Sequence, residues 1–173
     1  MHVCTLSDAR ITGYHEVGGI AAHTHYSSIE DCTVDANVCI HAVQSNAYYH
    51  GGIVGSNQAG PVNRCISRAT LTVANSSGCK DFGGIVGLNK SNIITDCIAE
   101  GVVIPDVNAR GAIVGFKDDY YDSTLTRNYY HGCKVASDNV TPSGVGQPTC
   151  TTVSAEPPFF CFRRQEVWSV GSW

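Results

Sequence analysis

The side chains able to do chemistry gather in three places. Residues 39–50 hold His41, Gln44, Asn46, Tyr48, Tyr49 and His50, which combine hydrogen-bonding groups with aromatic rings and so suit contact with a sugar. Tyrosines beside a strand also cover an apolar flank, and packing is the competing use. His23-x-His25 puts two imidazoles on one face of a strand, an arrangement a metal can exploit, but the sequence offers no third ligand nearby. Asp118-Asp119-Tyr120-Tyr121-Asp122 is an acidic turn in which Asp118, Asp119 and Asp122 could hold calcium together with backbone carbonyls. It lacks the ligand periodicity of a calcium loop, so a solvated turn is expected there.

Histidines, serines and aspartates are all present, yet none sits in a catalytic pattern. There is no nucleophile elbow, no His-Glu-x-x-His and no phosphate-cradling glycine loop ending in Lys-Ser or Lys-Thr. No catalytic residue and no cofactor is expected. A net charge of −4 gives no electrostatic footprint for nucleic acid. No apolar run approaches the roughly 20 residues that span a bilayer. Met1-His2-Val3-Cys4 does not open a signal peptide, so if the protein is exported the chain is expected to be a mature fragment of a longer polypeptide.

What must position these groups is a repeat. Gly51-Gly52-Ile53-Val54-Gly55 returns as Gly83-Gly84-Ile85-Val86-Gly87, and more loosely from Gly18 and from Gly111. The interval of about 30 residues is that of a solenoid rather than of one non-repetitive core. Glycines Gly52, Gly55, Gly84 and Gly87 recur with the repeat, which points to turns and close packing of coils. After each of the first three leading glycines, at the same spacing, comes a cysteine: Cys32, Cys65, Cys97.

From each cysteine the sequence alternates with period two, so the segment is a strand. One face reads Cys32, Val34, Ala36, Val38; Cys65, Ser67, Ala69, Leu71; and Cys97, Ala99, Gly101, Val103. On the other face Asp35, Arg68 and Glu100 share a repeat position, which predicts an arginine stacked between two carboxylates. Ile29, Val62 and Ile94 begin the inward pattern, and Asn57 and Asn89 read as turn residues closing the glycine stretch. Three cysteines at one inward position pack as small apolar groups, and the odd total of nine leaves at least one thiol unpaired. Reduced Cys32, Cys65 and Cys97 are therefore expected, with Cys150 and Cys161 the best candidates for a disulfide.

Gly-Gly-Ile-Val-Gly, an Asn two residues on, then Ile-x-x-Cys and a small residue before Val resembles the GLUG repeat. The resemblance runs over residues 13–135, with Ile for the family's usual Leu, Ala22 for the closing glycine of the first copy, and Tyr129 in the cysteine position of the last. It implies a bacterial secreted or cell-surface protein whose repeats form a β-solenoid, as in adhesin-like proteins and beside the catalytic domains of some immunoglobulin A peptidases. It implies no catalytic residues in the repeat itself.

The expected architecture is all-β: a parallel β-solenoid, right-handed by the general bias of parallel connections, of about four coils over residues 1–136. It begins with a partial coil at 1–12 and has repeats starting near Gly18, Gly51, Gly83 and Gly111. Tyr129, His131, Cys133 and Val135 read as its last inward face. Residues 137–173 break the pattern and are expected to form a C-terminal cap. The expected role is a non-enzymatic adhesion surface or spacer, with a host glycan or protein as partner at His41, Gln44, Tyr48, Tyr49 and His50. The alternatives are a polysaccharide lyase or hydrolase, which would need carboxylates or basic residues converging on one lateral face, and a scaffold fragment of a surface protease.

Overall fold

The computed structural model describes residues 2–90, 93–118 and 124–135. Each turn of the chain lays down five short strands. The first turn is β1 (Thr5–Leu6), β2 (Arg10–Gly13), β3 (His15–Gly18), β4 (Ala21–His25) and β5 (Ile29–Glu30). The second is β6 (Thr33–Val34), β7 (Cys39–Ala42), β8 (Tyr48–Gly51), β9 (Val54–Ala59) and β10 (Val62–Asn63). The third is β11 (Ile66–Ser67), β12 (Thr70–Val73), β13 (Lys80–Gly83), β14 (Val86–Lys90) and β15 (Ile94–Thr95). The fourth is β16 (Ile98–Glu100), β17 (Val103–Ile104), β18 (Arg110–Gly111), β19 (Val114–Asp118) and β20 (Leu125–Thr126), and β21 (Tyr129–His131) and β22 (Lys134–Val135) open a fifth. Equivalent strands of successive turns pair in parallel, which makes five stacked sheets and a β-solenoid of about four turns.

The core fills with columns of apolar side chains, one per turn. Ile29, Val62, Ile94 and Leu125 lie in register, as do Ile11, Ile40 and Leu71. Side chains such as Ile40, Leu71 and Ile94 are wholly buried, and each contributes about 1.5–3 kcal/mol relative to exposure. No single turn could bury such a face alone, so the columns are what tie the coils together.

The glycine stretch turns a corner between two sheets, as its turn-forming glycines suggested. Gly51 ends β8, Gly52 and Ile53 make the bend, and Val54 starts β9. The fold-back is so tight that a Cβ on Gly51 would overlap the Val54 carbonyl oxygen. On the far side of the corner, a Cβ on Gly87 would meet Gly55 O and Tyr49 C at 2.6 Å, backbone atoms that cannot move aside.

The cysteine-led segment also splits in two. β6 and β7 flank a turn in which Ala36 is exposed, not inward. In the next-but-one turn Val102 is buried and Val103 only half-buried, because Gly101, at φ 63°, takes up an extra residue and shifts the alternation by one. Asn57 and Asn89 are not turn residues. They lie inside β9 and β14, fully buried, where Thr24 Oγ1 donates to Asn57 Oδ1 at 2.7 Å and Asn57 Nδ2 donates to Asn89 Oδ1 at 2.9 Å.

Tyr129 does not occupy the cysteine position. It pairs with Ile98 and faces outward with His131, while Tyr130, Cys133 and Val135 face the core. The residue in register with Cys97 is the buried Asn128, whose Oδ1 accepts from Cys97 N at 3.0 Å and whose Nδ2 donates to Ile94 O at 2.7 Å. Residues 137–173, with the expected cap and Cys150 and Cys161, lie outside the described residues.

Candidate functional site

The structure divides the residues proposed for ligand contact. His50 is fully buried, packed parallel on Phe82 with ring centres 4.6 Å apart, in a column that begins with Val17. Neither of its ring nitrogens has a hydrogen-bond partner, and burial pulls its pKa down to about 4, so it is a neutral core residue and not a ligand contact. His41 lies half-buried on β7, where Nδ1 is 2.8 Å from Thr72 Oγ1. Gln44 is exposed in the short connection between β7 and β8. The stretch is therefore two strands and a brief turn, and the left-handed Tyr49, at φ 62°, breaks the alternation of β8, so that Tyr48 is half-buried at the surface while His50 is buried in the core.

Tyr48 is the residue around which a surface forms. Register places it directly above His15, and the two rings stack 3.5 Å apart at 19°. Tyr14 lies against the other side of His15 at 3.6 Å, and Tyr49 meets Tyr48 edge-on at 4.5 Å. Burial lowers the His15 pKa, the nearby Glu16 carboxylate opposing it, so the ring is neutral near pH 7 and stacks without carrying charge into the cluster. The next residue in the column is the exposed Lys80. Sequence reading missed Tyr14 and His15, although the repeat interval itself places residue 15 under residue 48.

Beside this stack runs a column of left-handed residues, Glu16, Tyr49 and Asp81, at φ 53°, 62° and 65°. Glu16 reaches His23 on β4, with Oε2 3.3 Å from Nδ1. Asp81 is only 3% exposed, and burial lifts its pKa to about 6 against the opposing pull of Lys80. Tyr49 is raised too, by burial first and then by the Asp81 charge. His23 and His25 both project from β4, their ring centres 6.5 Å apart. Of the acidic turn, Asp118 ends β19, whereas Asp119 and Asp122 lie outside the described residues. Among the described residues no three His, Cys, Asp or Glu side chains are grouped to hold a metal ion.

Residues 13–38, almost one full turn from the end of β2 to the bend after β6, match the family model for the GLUG motif. This chain carries GLUG repeats. No curated protein and no solved structure matches it. In the GLUG turns, Cys32, Cys65 and Cys97 occupy one buried column of free thiols, joined at the edge by the half-buried Cys4. The three buried thiols each donate to a carbonyl, Cys32 to Glu30 O at 3.2 Å, Cys65 to Asn63 O at 3.3 Å and Cys97 to Val62 O at 3.5 Å, so the column is hydrogen-bonded as well as packed.

The opposite flank of the GLUG turns is electrically self-contained. Arg68 Nε lies 2.8 Å from Glu100 Oε2, and its Nη1 lies 3.7 Å from Asp35 Oδ1, so the arginine stands between two carboxylates. A second alternating column, not seen in the sequence, runs along the corner before β6, β11, β16 and β21: Asp31, Arg64, Asp96, Arg127. Charges already matched within the fold leave little for a charged ligand there.

Proposed function

We propose that the chain is a non-enzymatic repeat region of a secreted or cell-surface bacterial protein, and that it binds a glycan or protein through the lateral surface of Tyr14, His15, Tyr48 and Tyr49. The observation that carries this reading is the outward ring stack of His15 and Tyr48 flanked by two further tyrosines. Rings packed on one another in adjacent coils hold a fixed apolar surface with hydroxyls at its rim, and ordering them costs little further entropy on binding.

The enzymatic alternative needs carboxylates or basic residues converging on one lateral face. Glu16 and Asp81 share a column, but Tyr49 stands between them and Asp81 is buried, so a polysaccharide would have no path to it. The reading is tested on a glycan array and a panel of extracellular-matrix proteins, with Tyr48→Ala and Tyr14→Ala as controls. Retention lost at least tenfold in both variants, with no cleavage of the bound partner, supports it. Retention indifferent to both substitutions, turnover of the glycan, or no retention at all, as for a pure spacer beside a protease, overturns it.

A further inference from the structure

The sequence shows His23-x-His25 alone; the fold sets a carboxylate behind the first of the two imidazoles. Glu16, seven residues earlier and on a different strand, places Oε2 3.3 Å from His23 Nδ1. An ionised carboxylate can only accept, so Nδ1 is the donor in this contact, which leaves Nε2 as the nitrogen able to offer a lone pair to a metal. A carboxylate bonded to one imidazole nitrogen is the arrangement that orients the other toward a metal and raises its basicity.

The strand supplies the second imidazole. Thr24, between the two histidines, is 4% exposed and anchored inward by its bond to Asn57. The register shift between Thr24 and His25, which pair with Asn57 and Ala59, leaves both histidines on the outer face. His25 is exposed and its ring makes no hydrogen bond, touching only the rings of His23 and Tyr26, so it is free to turn. β4 is the terminal strand of its sheet, so no further strand pairs with its outer edge among the described residues.

We infer that His23 and His25 form a two-imidazole chelate for a divalent late transition-metal ion, oriented by Glu16 and completed by water. The class follows from the donors: imidazole prefers zinc, nickel and copper over magnesium and calcium. A tetrahedral ion with metal–nitrogen bonds of about 2.1 Å holds two ligating ring centres roughly 5 Å apart. The present 6.5 Å separation closes to that by rotation of the exposed His25 ring. The set is not a preformed cage, since Glu16 is engaged with Nδ1 and serves as a positioning residue.

The test is a calorimetric titration of the whole chain with nickel chloride, paired with spectra of nitrogen-15-labelled imidazoles to locate the paramagnetic ion. The resonances of His23 and His25 should broaden before those of His2, His41 and His131. His25→Ala and His23→Ala should each weaken binding at least tenfold, and Glu16→Gln by about tenfold through loss of orientation. His25 makes no structural bond, so its variant stays folded and interpretable by far-ultraviolet dichroism even if the others do not. Broadening that begins at other histidines or at the cysteines, an affinity unchanged in His25→Ala, or no heat of binding overturns the inference.

Discussion

Arg64 grips Asp31 through two parallel hydrogen bonds, Nε to Oδ1 and Nη2 to Oδ2, each 2.7 Å long. The two residues occupy the same corner on adjacent turns, and both are left-handed, at φ 51° and 55°. A bidentate fork fixes direction as well as distance, so it helps hold one coil in register on the next. The backbone conformation works against it, because a side chain at positive φ costs roughly 1–2 kcal/mol.

Those two effects separate on substitution. Arg64→Ala keeps the backbone cost and loses the fork, also leaving Glu30, Asp31 and Asp96 without the cation between them; it should lower stability by about 1 kcal/mol, the fork being partly exposed. Arg64→Gly loses the same contacts but relieves the backbone, and should lie closer to the parent chain. Urea unfolding of the two variants checks the order, and equal midpoints would show that strain at this corner is negligible.

Glycines of the repeat should differ sharply in tolerance. Gly87→Ala forces a Cβ against three backbone atoms, His50 N at 2.5 Å among them, and should cost about 3 kcal/mol or more. Gly101→Ala meets nothing within 4 Å and carries only the penalty of φ 63°, about 1 kcal/mol. Thermal melts of the two proteins measure the gap, and a Gly87→Ala chain melting no lower than Gly101→Ala would contradict the corner packing.

Features that repeat in kind were legible in the sequence, and features that repeat only in position were not. Cys32, Cys65 and Cys97 announce their column by identity, and Asp35, Arg68 and Glu100 sit at a fixed offset from it, so their ion pairs could be read before any coordinates. Asp31, Arg64, Asp96 and Arg127 precede the same buried column with the same regularity, yet nothing in a mixed-charge corner signals that four non-glycine residues there turn left-handed. Asn57 and Asn89 were visible as repeats, but asparagine serves turns and buried ladders equally, and only the hydrogen bond between them decides. His50 was misplaced because polarity argued for the surface, whereas its column runs from Val17 to Phe82 and the ring stack on Phe82 prevails. The aromatic surface was half seen: Tyr48 and Tyr49 stood out, while His15 matters only through the coil that lies beneath them.

Thiol chemistry should follow burial. Cys4 and Cys39 are half-buried, whereas Cys32, Cys65, Cys79, Cys97 and Cys133 are buried. Burial also pushes Cys133 up to about 11 and Cys97 well above the ordinary thiol range, which starves both of thiolate at neutral pH. Of the seven described cysteines, alkylation at pH 8 followed by peptide mapping should mark Cys4 and Cys39 first, and the five buried ones only in denaturant. Early modification of Cys65 would mean that the core opens between turns.

Two buried groups should oppose one another in the pH dependence of stability. Asp81 is raised by burial from 3.8 to about 6, so between those values the folded chain binds more protons there than the unfolded chain, and stability falls as pH rises. His50 is lowered by burial from 6.5 to about 4, so over nearly the same window the unfolded chain binds more protons there, and stability rises with pH. Each contribution is of order 3 kcal/mol across its window, taking about 1.4 kcal/mol per pKa unit, and they largely cancel in the parent protein. Removing one exposes the other. Asp81→Asn should gain stability at pH 7 and lose it steadily as pH falls from 6.5 to 4, because His50 must then be kept neutral without compensation. His50→Leu should show the reverse slope, most stable near pH 4 and declining toward pH 6 as Asp81 is forced to ionise in place. Urea titrations at half-unit intervals between pH 4 and 7 read both slopes directly, and parallel profiles for the two variants would mean that neither group is as deeply buried as its column implies.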